Sequence, residues 1–184
     1  EVKAAPFVLL ENVDRLIKSP ASQRGRDFGI ILACFRDLGY TVEWRVINAA
    51  EYGFQQRRRR TFIFAYRNDT RYAHGMDEEI KYNGLHGEEL HRCSMSKLLQ
   101  ESGFFARSFP VETVDLKKIK FVKLPDGIGE LSDSFSYEFE NTGVMKDGVL
   151  YTLKTLPLYE GKRVTLGDIM EEGDIDSQFF ISEE

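Results

Sequence analysis

The spacing of apolar residues changes character near residue 68. Before it, the pattern alternates between strand-like and helix-like stretches. Phe7-Val8-Leu9-Leu10 is a short continuous apolar run and predicts a fully buried strand over residues 6–10. Ser19-Pro20-Ala21-Ser22 breaks the chain and offers Ser22 as a helix cap. The following helix is predicted to reach about Leu38. Ile30, Cys34 and Leu38 recur at i, i+4 with Ile31 and Phe35 beside them, which predicts an inward stripe and places Cys34 in the core. Gly39 is a suitable terminator. Val42, Trp44 and Val46 then alternate with Thr41, Glu43 and Arg45, the period of a strand. Asn48 to Gln55 reads as a loop around Gly53, and Thr61 to Tyr66 as the next strand. Strand, helix, strand, loop, strand predicts an α/β fold, the second half of a doubly wound, Rossmann-like sheet.

Beyond residue 68 the pattern shortens. Residues 68–92 are rich in Asp, Glu, Gly, Asn and His and read as a polar linker or surface loop. Ser94 to Ser102 predicts a short helix with Met95, Leu98 and Leu99 inward. Short alternating runs follow at Val111–Asp115, Lys120–Lys123, Tyr137–Glu140 and Val149–Leu153. Asp147-Gly148 between Val144-Met145 and Val149-Leu150 is a hairpin signal. The chain thus divides into residues 1–67 and a small β-rich region over 68–184.

Charge follows the same division. Residues 1–67 carry 12 Lys/Arg against 7 Asp/Glu, a net of +5; residues 68–184 carry 13 against 23, a net of −10. The first part suits a polyanion, whereas the second would repel one unless its basic residues cluster. No apolar run approaches the ~20 residues of a membrane helix, so no membrane partner is expected. Two cysteines, Cys34 and Cys93, make no disulfide framework, and a reducing cytoplasm is the expected setting. The chain enters a strand within a few residues of Glu1. It stops after Phe179-Phe180-Ile181 at Ser182-Glu183-Glu184, which reads as a helix start. Both ends read as cuts through a longer protein.

Two short motifs carry the candidate chemistry. Glu11-Asn12-Val13 ends the first strand, and Gln56-Arg57-Arg58-Arg59-Arg60 opens the strand that begins at Thr61. Neighbouring strand ends would bring a carboxylate and several guanidiniums to one rim, where open α/β sheets hold their ligands. In extended backbone Arg58 and Arg60 share a face with Gln56, and Arg57 and Arg59 take the other. One set could line a pocket while the other meets solvent or phosphate, and the guanidinium fork suits carbonyl and phosphate oxygens alike.

These motifs resemble the middle of a cytosine-5 DNA methyltransferase. So do Lys18 to Phe28, Leu38-Gly39-Tyr40 and Asn48 to Phe54 between them, so the resemblance spans nearly all of residues 1–67. Gln55 departs from it, standing where the family usually has proline. The resemblance implies methyl transfer from S-adenosylmethionine to carbon 5 of a flipped cytosine in duplex DNA. A thiolate attacks carbon 6, and the acid at Glu11 holds ring nitrogen 3 and the exocyclic amine. It further implies that Arg60 and Arg58 bind the cytosine carbonyl oxygen or nearby phosphate. Asn12 would brace adjoining loops, Gln56 would shape its own loop, and Arg57 and Arg59 would contact DNA.

The family's Pro-Cys nucleophile dipeptide does not occur in these 184 residues, nor does its glycine-rich cofactor loop. Gly127-Ile128-Gly129 follows Pro125-Asp126 with no helix predicted after it, and does not substitute. The expectation is a partial catalytic domain over 1–67 and a partial target-recognition domain over 68–184. Such a piece would be inactive alone and hold no cofactor tightly, within a bacterial cytoplasmic enzyme of the restriction–modification type. Lys117, Lys118, Lys120 and Lys123 form a local basic cluster, from which Lys118 and Lys120 are the chosen DNA contacts. His86, His91 and Cys93 lack a fourth ligand at zinc spacing, and no metal is expected. Two other readings stand beside this one: a non-catalytic nucleic-acid-binding module, and an RNA cytosine methyltransferase relative.

Overall fold

The computed structural model describes residues 4–82, 84–171, 173 and 176–179. The helix start read at Ser182–Glu184 lies outside them. Among the described residues, six strands form one antiparallel sheet: β1 (Phe7–Val13), β2 (Tyr40–Asn48), β3 (Arg59–Arg67), β4 (Lys120–Lys123), β5 (Thr142–Lys146) and β6 (Val149–Leu153), in the order β1-β3-β2-β5-β6-β4. The protein is α/β, with helices on both faces. The sheet runs unbroken from the first part of the chain into the second, because β5 pairs with β2 at Val42↔Met145 and Trp44↔Gly143.

Alternation along the strands sorts side chains between two layers. One face presents Val42 and Trp44 of β2, Ile63 and Ala65 of β3, and Met145 and Leu150 of the β5–β6 hairpin. It packs against α1 (Arg26–Asp37) and α5 (Ile128–Ser134) through Phe28, Leu32, Leu131 and Phe135. The opposite face carries Phe64 and Tyr66 of β3 and Val144, Tyr151 and Leu153 of the hairpin. It lies under α2 (Arg71–Glu79), α3 (Gly87–Lys97), a wider turn at Leu98–Ser102, and α4 (Phe104–Ser108). With both faces covered, β2 is buried along nearly its whole length. The hairpin closes at Asp147-Gly148, both at positive φ (50° and 76°), the geometry a two-residue turn demands.

Several expectations are corrected. The run at residues 6–10 forms β1, but as an exposed edge strand, with Leu9 58% accessible and only Val8 reaching the α1-side core. No described strand flanks its outer side, so a run apolar on both faces is left open. Ser22 does not cap α1; Gly25 stands at that position, with no side-chain hydrogen bond. The buried stripe of α1 is Phe28, Gly29, Leu32 and Ala33, so Cys34 and Leu38 are both exposed. The period was correct and its phase was displaced by two residues. The supposed linker 68–92 contains α2 and the first half of α3. Thr70 caps α2 by accepting from the Ala73 N–H at 3.2 Å. Val111–Asp115 yields only a single bridge, Val111 to Pro157, and Tyr137–Glu140 forms no strand. Gly127 does open a helix, the short α5, and a side chain at Gly127 or Gly129 would meet nothing within 4 Å.

Candidate base-binding site

The carboxyl ends of β1 and β2 and the start of β3 share one rim. Antiparallel register sets Glu11 opposite Phe62 and Val13 opposite Arg60. Glu11 and Arg60 therefore emerge on the same face, and Arg60 Nε lies 2.7 Å from Glu11 Oε1. Arg58 Nη2 approaches the same oxygen at 3.8 Å. Arg59 turns away and pairs with Asp14 at 3.6 Å. The Glu11 side chain keeps 44% of its accessibility, so one carboxylate edge stays free for a ligand.

The loop between β2 and β3 is braced at its base. The Ala49 N–H donates to the Arg58 carbonyl at 3.0 Å, and the Arg58 N–H to the Gln56 carbonyl at 3.0 Å. The Asn48 side chain accepts from the Ala50 N–H and starts a 3-10 turn over Ala49–Tyr52. Gly53 ends it at φ +88°, and the Tyr159 ring occupies the space a β-carbon would need. The Val164 N–H then donates to the Gly53 carbonyl at 2.8 Å. A segment more than a hundred residues later is thus laid across the loop that delivers the arginines.

Glu11, Arg58 and Arg60 line a pocket of about 190 Å³ together with Ile47, Ala49, Tyr52, Phe54, Phe62 and Phe109. This is below the ~300–1,000 Å³ of pockets for drug-sized ligands, and fits one flat ring. A carboxylate accepts from ring N–H or amino groups, guanidiniums donate to a carbonyl, and aromatic walls exclude water and stack. Phe54 is 61% exposed at the pocket. Phe109 was missed in the sequence because it arrives from beyond residue 68, whereas Tyr52, Phe54 and Phe62 belong to the first part.

Other expected contacts fall elsewhere. Asn12 accepts only from the neighbouring Val13 N–H, at 2.8 Å, and is exposed. Gln56 and Arg57 are exposed in the loop and line none of this pocket. Lys118 sits in a 3-10 turn over Leu116–Lys118. Lys120 begins β4 and pairs with Glu140 at 2.7 Å. β4 is the opposite edge of the sheet from β1, and neither lysine lines the pocket. Among the described residues no group of three or more His, Cys, Asp or Glu could hold a metal ion, and no helix is long and apolar enough to cross a membrane.

The fold and pocket together define an α/β protein with a ring-sized polar–aromatic site at one sheet rim. A model of C-5 cytosine-specific DNA methylases matches residues 1–144, and the chain belongs to that family. It is 44% identical over 179 residues to the type II methyltransferase M.Sau3AI of Staphylococcus aureus, covering 97% of this chain and 40% of that protein. Over 111 residues it is 32% identical to the type II methyltransferase M.BsuFI of Bacillus subtilis, covering 57% of this chain and 26% of that protein. It is also 37% identical over 59 residues to DNA (cytosine-5)-methyltransferase 1A of rice, Oryza sativa subsp. japonica, covering 32% of this chain and 4% of that protein. The chain therefore spans well under half the length of these relatives. No solved structure gives a significant match.

Proposed function

We propose that this chain supplies the base-holding side of a DNA (cytosine-5)-methyltransferase active site, in a bacterial, cytoplasmic restriction–modification enzyme acting on duplex DNA. The observation that carries the reading is the convergence of Glu11, Arg60 and Arg58 on one ring-sized pocket. In this reading Glu11 binds ring nitrogen 3 and the exocyclic amine of an extruded cytosine. When a nucleophile adds to carbon 6, electron density moves onto the ring, and a proton shared at nitrogen 3 disperses it. Arg60 and Arg58 bind the carbonyl oxygen or an adjoining phosphate and keep the carboxylate in place. The aromatic wall holds the ring out of water, as enzymes that act on bases require.

S-adenosylmethionine is the methyl donor this reading assigns to the whole enzyme. In this reading its glycine-rich binding loop lies outside these 184 residues. The donor and the thiolate belong to other parts of the polypeptide. Residues 1–67 are catalytic and residues 68–184 contribute to target recognition, with Asn12, Gln56, Arg57, Arg59, Lys118 and Lys120 as further DNA contacts. The 184-residue chain alone transfers no methyl group, and labelled methyl transfer to DNA by the purified chain would refute this part.

The decisive test is Glu11→Gln in the full-length protein. The methylation rate should fall by about 10²–10⁴, the usual worth of a positioned acid, while DNA affinity changes far less. Equal loss of rate and affinity would make Glu11 a structural residue. Methylation of transfer RNA instead of duplex DNA would move the assignment to the other polymer.

A further inference from the structure

Two strands in from the β1 edge, β2 carries a second acid and arginine on the same face of the sheet. Glu43 and Arg45 are each only 2% accessible. Arg45 is not spent on a carboxylate. Its Nη1 donates to the carbonyls of Phe105 (3.3 Å) and Phe109 (2.5 Å), and its Nη2 to that of Leu99 (2.5 Å). All three acceptors belong to the stretch 99–109, which contains α4 and ends on Phe109. Glu43 lies under the middle of the same stretch, its carboxyl close to the Phe104 and Phe105 N–H groups and its Oε1 buried without a hydrogen-bond partner. Tyr52, itself in the pocket wall, adds a hydroxyl donated to the Pro110 carbonyl at 3.2 Å, and its ring meets that of Phe109 edge-on at 5.1 Å.

We propose that Arg45 is a positioning residue for the base pocket: by fastening the main chain at Phe109, it sets a ring from beyond residue 68 into the wall of the pocket that Glu11, Arg58 and Arg60 line. This rests on the reading of that pocket as a cytosine site. A buried arginine is a poor device for stability alone, because apolar residues of similar volume often serve equally well. Its planar fork is suited to fixing several carbonyls in one geometry, which a lysine cannot reproduce. Ile47, two residues further along the same strand, and Ala49, just beyond its end, line the pocket directly, so Arg45 registers Phe109 against them.

The test uses the full-length protein with Arg45→Lys and Phe109→Leu. Three quantities are read: the single-turnover methylation rate, the DNA dissociation constant, and the fluorescence of 2-aminopurine placed at the target position as a report of base extrusion. In both variants the rate should fall about 10- to 100-fold, the scale of an ångström's misplacement. DNA affinity should stay within about threefold, because backbone contacts dominate it, and the extruded-base signal should weaken. Phe109→Tyr should restore the rate. Wild-type rate and fluorescence in Phe109→Leu would overturn the proposal even if Arg45→Lys failed to fold. So would a rate loss in Arg45→Lys that vanished on cooling below its unfolding range. A normal Glu11→Gln enzyme would instead remove the base-pocket reading. Impaired Glu11→Gln with normal Arg45→Lys and Phe109→Leu would remove only this inference.

Discussion

Two Glu–Arg groupings sit on one face of the same sheet and behave as opposites. At the rim, Glu11 and Arg60 face each other directly at 2.7 Å and remain partly open to solvent. In the interior, Glu43 and Arg45 are sealed under α4; Arg45 donates to main-chain carbonyls, and burial favours the neutral Glu43 carboxyl. The rim pair is cheap to keep and available for a ligand. The interior residues are costly to desolvate, and their groups hold a segment from the second part of the chain. Residue type alone does not distinguish the two; depth in the sheet and the partners do.

The largest expected difference comes from removing an arginine. Arg45→Ala would leave three carbonyls without their donor, and should cost about 3–5 kcal/mol, the scale of several buried acceptors left unsatisfied at about 1–3 kcal/mol each. Urea unfolding of the full-length protein should show the loss as an earlier transition for the part containing α4. Arg60→Ala at the rim should leave that transition within about 1 kcal/mol. Equal effects would erase the contrast.

The second difference is in pH dependence. Burial pushes the Glu43 carboxyl up to about 8 from its ordinary 4.5, against the opposing pull of Arg45 and the two N–H donors. The folded state thus holds this proton more tightly than the unfolded state. Stability from the neutral form is fully present below pH 4.5 and is lost as pH rises toward 8. The slope is ~1.4 kcal/mol per pH unit at most for one such group. Glu43→Gln keeps an oxygen acceptor and removes the titration. The variant should therefore match the parent near pH 4.5 and exceed it near pH 8, read as unfolding temperature across that range. A parallel decline in both proteins would show that Glu43 is not the titrating group.

How much of this was legible in the sequence follows the same line. The rim cluster was accessible because four arginines run into an apolar strand and an acid ends another; the antiparallel register that joins them is seen in the structure. Order and spacing placed β2, β3, α1 and the β5–β6 hairpin. What failed was whatever depends on a distant segment. Thr41, Glu43 and Arg45 follow the polar half of a strand alternation, and only the arrival of α3 and α4 buries them. The supposed linker at 68–92 is helical because Met76 and Ile80 find the sheet's second face, a tertiary gain that composition does not register. Phe109 was invisible as a pocket residue for the same reason. The strand at 7–13 failed in the opposite sense, being apolar on both faces yet covered by little within the described residues.

The smallest expected effect sharpens the comparison most directly. A double-mutant cycle on Glu11→Gln and Arg60→Gln, read in unfolding free energy, should return a coupling of about 0.2–1 kcal/mol, the range for an ion pair open to water. Raising the salt to about 1 M shortens the screening length to ~3 Å and should reduce that coupling further. The same cycle read in methylation rate should be strongly non-additive, because either change alone disables the shared grip on the base. Stability and catalysis would then separate at the rim. A coupling in unfolding free energy as large as the interior effect would place Glu11 and Arg60 among the residues that hold the fold together.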